Sequence, residues 1–315
     1  MPSRDPAITG PGLRKIKSGR TSDPPAGRGC IVFLSDGRRI GCLEVGADDG
    51  FPILHFHGNG SSRLEVMMLA DLAAAAGVRL IGLDRPGVGN SDPAPGRSLL
   101  DWPQDVAEVA GRLELERFAI EGVSAGGAYA LACAHRMPGR LTACGLISSI
   151  CPPDLVRQAG PAWMRTAWWL AQHHPDLAQA CMRALLPDSM TDEAGAELRL
   201  ARIASWLGPA DHEVLQRPAI RQALVRSMVE SRRHGAAANR GEILALLNDW
   251  QVPLERIGTL EILMWHGEQD RLTPIGPARM LADRLPRCTA TFYAGEGHFS
   301  TLANHAPEVF AALRG

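Results

Sequence analysis

The sequence predicts an α/β fold: a mostly parallel sheet with helices on both faces and a helical insertion. Short apolar runs of strand length recur from about residue 30 to the C-terminus, and segments with helix-period apolar positions separate them. The chain has 315 residues, 45% hydrophobic and 21% charged, enough for one large buried core. Around residues 152–252 the alternation stops, and about a hundred residues carry helical periodicity with almost no strand-like run.

Residues 1–29 are dense in Pro, Gly, Ser and Arg and read as a disordered tail outside the fold. Cys30–Leu34 and Arg39–Val45 flank Asp36-Gly37, a hairpin pattern. The next strand candidates are 52–56, 78–83, 118–123, 143–147, 261–265 and 290–293, and the helical candidates between them are 62–76, 102–115, 125–136, 275–285 and 303–313. The expected organisation is therefore a tail (1–29), the first part of the core (30–151), a helical cap (152–252) and the rest of the core (253–315). Five of the seven tryptophans, Trp163, Trp168, Trp169, Trp206 and Trp250, fall in the cap.

Composition excludes several classes of function. A net charge of −1 gives no global field for nucleic acid or an anionic membrane. The only lysines are Lys15 and Lys17, so no Walker-type phosphate loop exists in the body. The seven cysteines are odd in number, scattered and never in Cys-x-x-Cys, and they read as buried thiols in a reducing compartment without a disulfide framework or zinc site. No stretch reaches the roughly 20 apolar residues of a membrane span. A cytoplasmic protein acting on a small molecule, with no nucleic-acid or membrane partner, is the expectation; composition leaves the oligomeric state open.

The segment with most chemical content is Phe118-Ala-Ile-Glu-Gly-Val-Ser124-Ala-Gly-Gly, an apolar strand running through Gly-x-Ser-x-Gly into an alanine-rich helix. A serine on such a sharp turn needs small neighbours two residues away on each side, and its hydroxyl stands exposed at a helix N-terminus. Two later loops complete a set: His266-Gly-Glu-Gln-Asp270 closes one strand and Gly295-Glu-Gly-His298-Phe299 follows the last. The order Ser, Asp, His fits a nucleophile, the acid that orients a base, and the base. Asp154, just after the sixth strand candidate, is the competing acid. His57 is expected to brace its loop and His55 to point to the opposite face of a strand, His173-His174 lack the spacing of a zinc helix, and Gly87-Val-Gly89 lacks a third glycine, so neither metal nor cofactor is expected.

From Cys30 onward these motifs resemble the α/β-hydrolase superfamily. His55-Phe-His57-Gly58-Asn59-Gly60 is similar to the family's His-Gly loop, and Asp84-Arg-Pro-Gly-Val-Gly-Asn-Ser91 to its Asp-x-x-Gly-x-Gly-x-Ser loop. The resemblance implies an α/β-hydrolase fold, catalytic Ser124, Asp270 and His298, and an oxyanion hole made by the Asn59 and Ala125 backbone amides. Serine in place of the aspartate nucleophile departs from dehalogenases and epoxide hydrolases. Trp163, Trp168 and Trp206 are expected to line a substrate pocket or else to glue the cap to the body. The expected activity is serine hydrolysis of a carboxylic ester or related acyl bond of a small apolar molecule. A proline iminopeptidase-like aminopeptidase needs cap carboxylates, for which Glu193, Glu197, Glu213, Glu230 and Glu242 are available. A carbon–carbon bond hydrolase acting on a keto acid would use a cap arginine such as Arg157, Arg165, Arg202 or Arg226. A ligand receptor that does not turn over is the remaining alternative.

Overall fold

The computed structural model describes the backbone of residues 13–16 and all of residues 27–185, 191–258 and 260–315. Nine strands form one sheet: β1 (Leu13–Ile16), β2 (Arg28–Phe33), β3 (Arg39–Gly46), β4 (Phe51–Phe56), β5 (Val78–Leu83), β6 (Phe118–Val123), β7 (Leu141–Ile147), β8 (Ile262–Gly267) and β9 (Cys288–Tyr293). Their spatial order is β1-β2-β3-β5-β4-β6-β7-β8-β9, with β1, β2 and β3 antiparallel to their neighbours and β4 to β9 parallel. The chain leaves β4 toward one edge and β6 toward the other. The crevice beyond the C-terminal ends of β4 and β6 is thus the switch point where parallel sheets place their ligands.

Helices α1 (Ala70–Ala75), α2 (Trp102–Arg112) and α3 (Gly126–Arg136) follow successive strands, and α11 (Ile275–Arg284) and α12 (His298–Arg314) close the chain. Between β7 and β8 lie seven more: α4 (Pro153–Ala159), α5 (Ala162–His173), α6 (Pro175–Leu185), α7 (Glu193–Ala204), α8 (Pro209–Leu215), α9 (Pro218–Glu230) and α10 (Ala237–Leu246). One face of the sheet packs Phe56, Leu83 and Ile120 against Val106 and Leu131. The other packs Ile53, Leu80 and Ile147 against Ala73 and Phe310. A third cluster, including Leu200, Val214 and Leu224, lies among the inserted helices, so burial of their apolar faces stabilises them together.

Two expectations are corrected. Leu13–Ile16, assigned to the tail, forms an edge strand on β2 because an open antiparallel edge offers its backbone a partner; the rest of the tail before Gly27 lies outside the described residues. Cys30 and Cys42 are not free thiols. The turn at Asp36-Gly37 sets the β2/β3 register so that they stand directly opposite, with Cα atoms 5.0 Å apart, and they are disulfide-bonded. Reading the cysteine spacing apart from the hairpin register missed this, and it removes the cysteine argument for a reducing compartment. Among the described residues no helix is long and apolar enough to cross a membrane.

Candidate active site

Steric crowding at the end of β6 forces the serine outward. Ser124 adopts φ +53°, a left-handed conformation costly for a residue with a side chain. A Cβ on Gly122 would collide with the Gly126 carbonyl, and one on Gly126 with the Phe56 carbonyl, so only glycine fits on either side of the turn. The Ser124 N–H donates to Ile147 O (3.0 Å), and the Ser124 carbonyl accepts from Gly127 N (3.1 Å) and Ile150 N (3.1 Å). The residue is pinned while its hydroxyl faces a cavity of about 170 Å³. Asn59 and Ala125 line the same cavity, and among the described residues neither of their N–H groups makes a backbone hydrogen bond. Two unused donors beside an exposed hydroxyl can receive a developing oxyanion.

Asp270 and His298 meet at the ends of β8 and β9. His298 Nδ1 lies 2.8 Å from Asp270 Oδ2. Asp270 Oδ1 accepts from the Leu272 and Thr273 N–H groups (2.8 Å each), and the Thr273 hydroxyl donates to Oδ2 at 2.6 Å. Burial works against the Asp270 charge, but the adjacent His298 and these donors outweigh it and hold the carboxyl below its ordinary value. Burial likewise lowers the His298 pKa, and the Asp270 charge and hydrogen bond raise it above 6.5 on balance. Thr273 links this pair to Ser124, since its hydroxyl lies 3.2 Å from His298 Nδ1 and its side of the loop lines the Ser124 cavity. Ser124 Oγ and His298 do not share a hydrogen bond in this structure; catalytic contacts of this kind can tighten only in the complex with substrate. Asp154 is elsewhere: it sits in the first turn of α4 and pairs with Arg284 on the half-exposed surface.

The cavity walls are apolar. Ile150, Cys151, Pro153 and Val156 form one side, Met164 and Trp168 of α5 and Ile243, Leu246 and Leu247 at the end of α10 another. Of the three expected tryptophans only Trp168 lines it. Trp163 and Trp206, 52% and 68% exposed, flank a separate surface cleft with Arg271. Trp163 lies off the cavity because α5 presents Met164 and Trp168, four residues apart, to it, and Trp206 stands in the turn between α7 and α8. No glutamate weighed for binding a substrate amine lines the cavity. Glu242 is paired with Arg85, Glu230 with Arg63, Glu197 with Arg221 and Glu213 with Arg217, and Glu193 is exposed. Arg157, Arg165, Arg202 and Arg226 are also absent from its lining; Arg157 covers the Trp168 ring at 4.9 Å.

The His57–Gly60 loop is held by contacts that the sequence did not reveal. Arg85, fully buried, donates to His57 O (2.5 Å) and Gly58 O (3.2 Å) and pairs with Glu242 (2.5 Å). Glu242 Oε2 and the Asn239 carbonyl also accept from the Asn59 side chain, at 2.8 and 3.0 Å. Beneath the loop, His55 bridges Glu121 (2.7 Å) and Glu65 (3.2 Å), and Glu65 accepts from the Gly58 N–H at 3.3 Å. Burial alone would lower the His55 pKa, yet the two carboxylates raise it to about 9, and its charge helps bring Glu65 down to about 2 against burial. His57 braces the loop as expected, with Nδ1 2.8 Å from Gly58 O; burial and the Arg85 charge keep its pKa well below 6.5. The Asp84 loop is structural: Asp84 accepts from Arg63 N (2.7 Å), the Arg63 guanidinium (2.6 Å) and Asn90 N (2.8 Å).

A parallel sheet with a strained serine at its switch point and a buried Asp–His pair on the following loops defines an α/β hydrolase. Residues 52–301 match Hydrolase_4, the serine aminopeptidase S33 family, and the chain belongs to that family. It is 29% identical over 287 residues to a 2-hydroxymuconate semialdehyde hydrolase of Pseudomonas putida, covering 89% of this chain and 91% of the relative. It is 26% identical over 234 residues to a pimeloyl-[acyl-carrier protein] methyl ester esterase of Nitrosomonas europaea, covering 74% and 82%. Among solved structures, a hydrolase from Pseudomonas aeruginosa PA01 superposes with a TM-score of 0.65 at 21% identity, covering 90% of this chain and 96% of that one.

Proposed function

We propose that the protein is a serine hydrolase that cleaves a carboxylic ester or related acyl bond of a small, largely apolar molecule through an acyl-enzyme. Ser124 Oγ attacks the carbonyl carbon as His298 Nε2 takes its proton, and Asp270 holds the imidazole tautomer and stabilises the imidazolium. The Asn59 and Ala125 amides receive the tetrahedral oxyanion; losing one such donor typically costs about 10²- to 10³-fold in rate. His298 returns its proton to the leaving alcohol, and water repeats the sequence on the acyl-enzyme. The observation that carries the reading is the apolar cavity shared by Ser124 and the two unused amides. The esterase relative supports ester chemistry. The absence of a carboxylate from the cavity wall speaks against an aminopeptidase, whose substrate amine needs one.

The test is covalent labelling by a fluorophosphonate together with turnover of ester, aminoacyl-amide and keto-acid substrates. Labelling at Ser124 and turnover of esters, both lost in Ser124→Ala without loss of fold, are the expected results. Labelling at another residue refutes the assignment, and a labelling burst without steady turnover would favour a ligand receptor.

One observation favours the carbon–carbon hydrolase as a second reading. Arg199 of α7 is buried, among the described residues its Nε and Nη1 have no partner, and its Nη2 would stand 2.7 Å from a Cβ on Gly60 of the oxyanion loop. Burial, then the nearby Arg232 charge, brings its pKa down to about 10. Arg199 is not in the cavity lining either, but it stands behind Gly60 of the adjoining loop, and a buried, uncompensated guanidinium there favours an anion such as the carboxylate of a keto-acid substrate. The 2-hydroxymuconate semialdehyde hydrolase relative agrees with it. Arg199→Leu separates the two: keto-acid turnover is lost under this reading, while neutral esters are untouched under the first.

A further inference from the structure

The helix that carries His298 has no N-cap side chain of its own for its first amides; among the described residues its only local cap contact is the Ser300 hydroxyl accepting from Gly297 N (2.7 Å). Its first residue is preceded by Gly297, which has no side chain to accept from the free N–H groups at the start of α12. Asp211, far away in the chain on α8 of the inserted segment, takes their place. Its Oδ2 accepts from His298 N (3.0 Å), and its Oδ1 accepts from Phe299 N (2.8 Å) and Ser300 N (2.9 Å). Asp211 is wholly buried, and a Cβ on Gly297 would collide with its carboxylate, so the glycine is what lets the acid reach the helix end. A charged acceptor there binds strongly because the hydrogen bonds are charge-assisted and the helix dipole is positive at that end.

We propose that Asp211 is a positioning residue for the reaction: from the inserted helices it clamps the start of α12, so that the His298 imidazole is held in its place against Asp270 only while those helices are seated on the core. The proposal rests on the assignment of His298 as general base. One of the three clamped amides is that of His298 itself, and a misplacement of about 1 Å at a reacting group can cost about 10²-fold in rate. The carboxylate also bears on the imidazole electrostatically. The charged and titratable groups acting on His298 are Asp270 and His266 from the end of β8, Asp211 from α8 and Glu65 from the turn after the oxyanion loop. Asp211 adds to Asp270 in favouring the protonated ring.

The experiment compares Asp211→Ala, Asp211→Asn and, as a control on the outer surface of the same segment, Trp206→Ala. Each is assayed for kcat and KM across pH on the best ester, with the His298 ring titration followed by NMR on labelled histidine. Asp211→Ala is expected to lower kcat by about 10²-fold with little change in KM. Asp211→Asn keeps an acceptor for the amides and should recover most of the plateau rate, with the His298 pKa lowered in both readouts. Trp206→Ala should change neither. A folded Asp211→Ala with the parent kcat overturns the proposal, as does an Asp211→Asn variant that leaves the His298 titration in place. If Asp211→Ala does not fold, Asp211→Asn and its ring titration carry the test alone. Ser124→Ala and His298→Ala, run beside them, isolate the underlying assignment: persistent turnover in either refutes the nucleophile or base, whereas the NMR titration still reads the Asp211 link.

Discussion

The buried Glu121–His55–Glu65 chain makes a quantitative prediction about stability. His55 on β4 and Glu121 on β6 are register partners in the sheet, one and two residues before the ends of their strands, where the Gly58–Gly60 loop and the elbow follow. The imidazole is inaccessible to water, and its pKa of about 9 against an ordinary 6.5 means that the folded protein holds the proton more tightly than the unfolded chain. Because the folded pKa is raised, this stabilisation is fully present below pH 6.5 and is lost as pH climbs through about 9. At about 1.4 kcal/mol per pKa unit the loss across that window is about 3 kcal/mol. The perturbation is Glu121→Gln, which preserves an acceptor for His55 Nδ1 but removes one of the two charges facing it. Urea unfolding at a series of pH values reads the result. The parent should lose stability steadily between about pH 6.5 and 9, and the variant should show a smaller loss that ends at lower pH. His298, also raised, contributes a loss of the same sign, but its main partners are Asp270, Asp211 and Glu65, so most of the difference that Glu121→Gln makes between the two curves belongs to His55. A parent curve that is flat in this window, or a Glu121→Gln curve parallel to it, refutes the reasoning.

Three further outcomes are expected. Asp270→Asn should favour the wrong imidazole tautomer and cost up to about 10⁴-fold in kcat/KM, whereas Asp154→Asn, whose partner is the half-exposed Arg284, should be nearly silent; the reverse pattern would move the acid to Asp154. Trp168→Ala should redistribute preference among acyl chain lengths because its ring lines the cavity, and Trp206→Ala should not, which a series of p-nitrophenyl esters will show. Glu242→Gln leaves Arg85 buried with an uncharged partner and should destabilise the protein by about 3–5 kcal/mol, measured by urea unfolding; a change below about 1 kcal/mol would mean that the Arg85 contacts to the His57 and Gly58 carbonyls suffice.

The sheet was legible because parallel strands buried on both faces are mostly apolar, so β4 to β7 stand out as apolar runs broken by at most one charged or polar residue each, even where the ends differ by a residue or two. The elbow was legible because sterics leave only glycine at 122 and 126. The His–Asp pair was legible because each residue closes a strand within a distinctive loop. Groups whose partners lie far off in sequence could not be read in this way. Asp211 resembles an ordinary first-turn acid of α8, since nothing near it in the chain reveals that its oxygens serve a helix 87 residues on. Glu121 is the only charge in an otherwise apolar strand, and His55 the only titratable group in another. A charge where the pattern demands an apolar side chain is the signal that those two must be paired, and weighing the adjacent strands together would have found them. Tryptophan content located the insertion but not the wall of the cavity, because helix period decides which face each ring takes.

The contacts of the inserted helices alter how that segment should be thought of. A cover that only selects substrate needs to touch the substrate. Here it also holds the parts around Ser124: Glu242 and the Asn239 carbonyl fix the Asn59 side chain, Ser227 bonds to both Ser61 (2.8 Å) and Ser62 (3.0 Å), and Asp211 holds the amide of His298. The same segment supplies apolar walls through Met164, Trp168 and Leu246. The Asn59 loop and His298, the proposed oxyanion loop and general base, therefore lie on the core, yet each is tied down by the inserted helices. Any displacement of these helices that admits a bulky substrate strains those ties. Substrate size and catalytic geometry are coupled through the same handful of hydrogen bonds, and a substitution that widens the cavity by shifting α8 or α10 should cost rate as well as change preference, whereas one that trims a wall side chain in place should change preference alone.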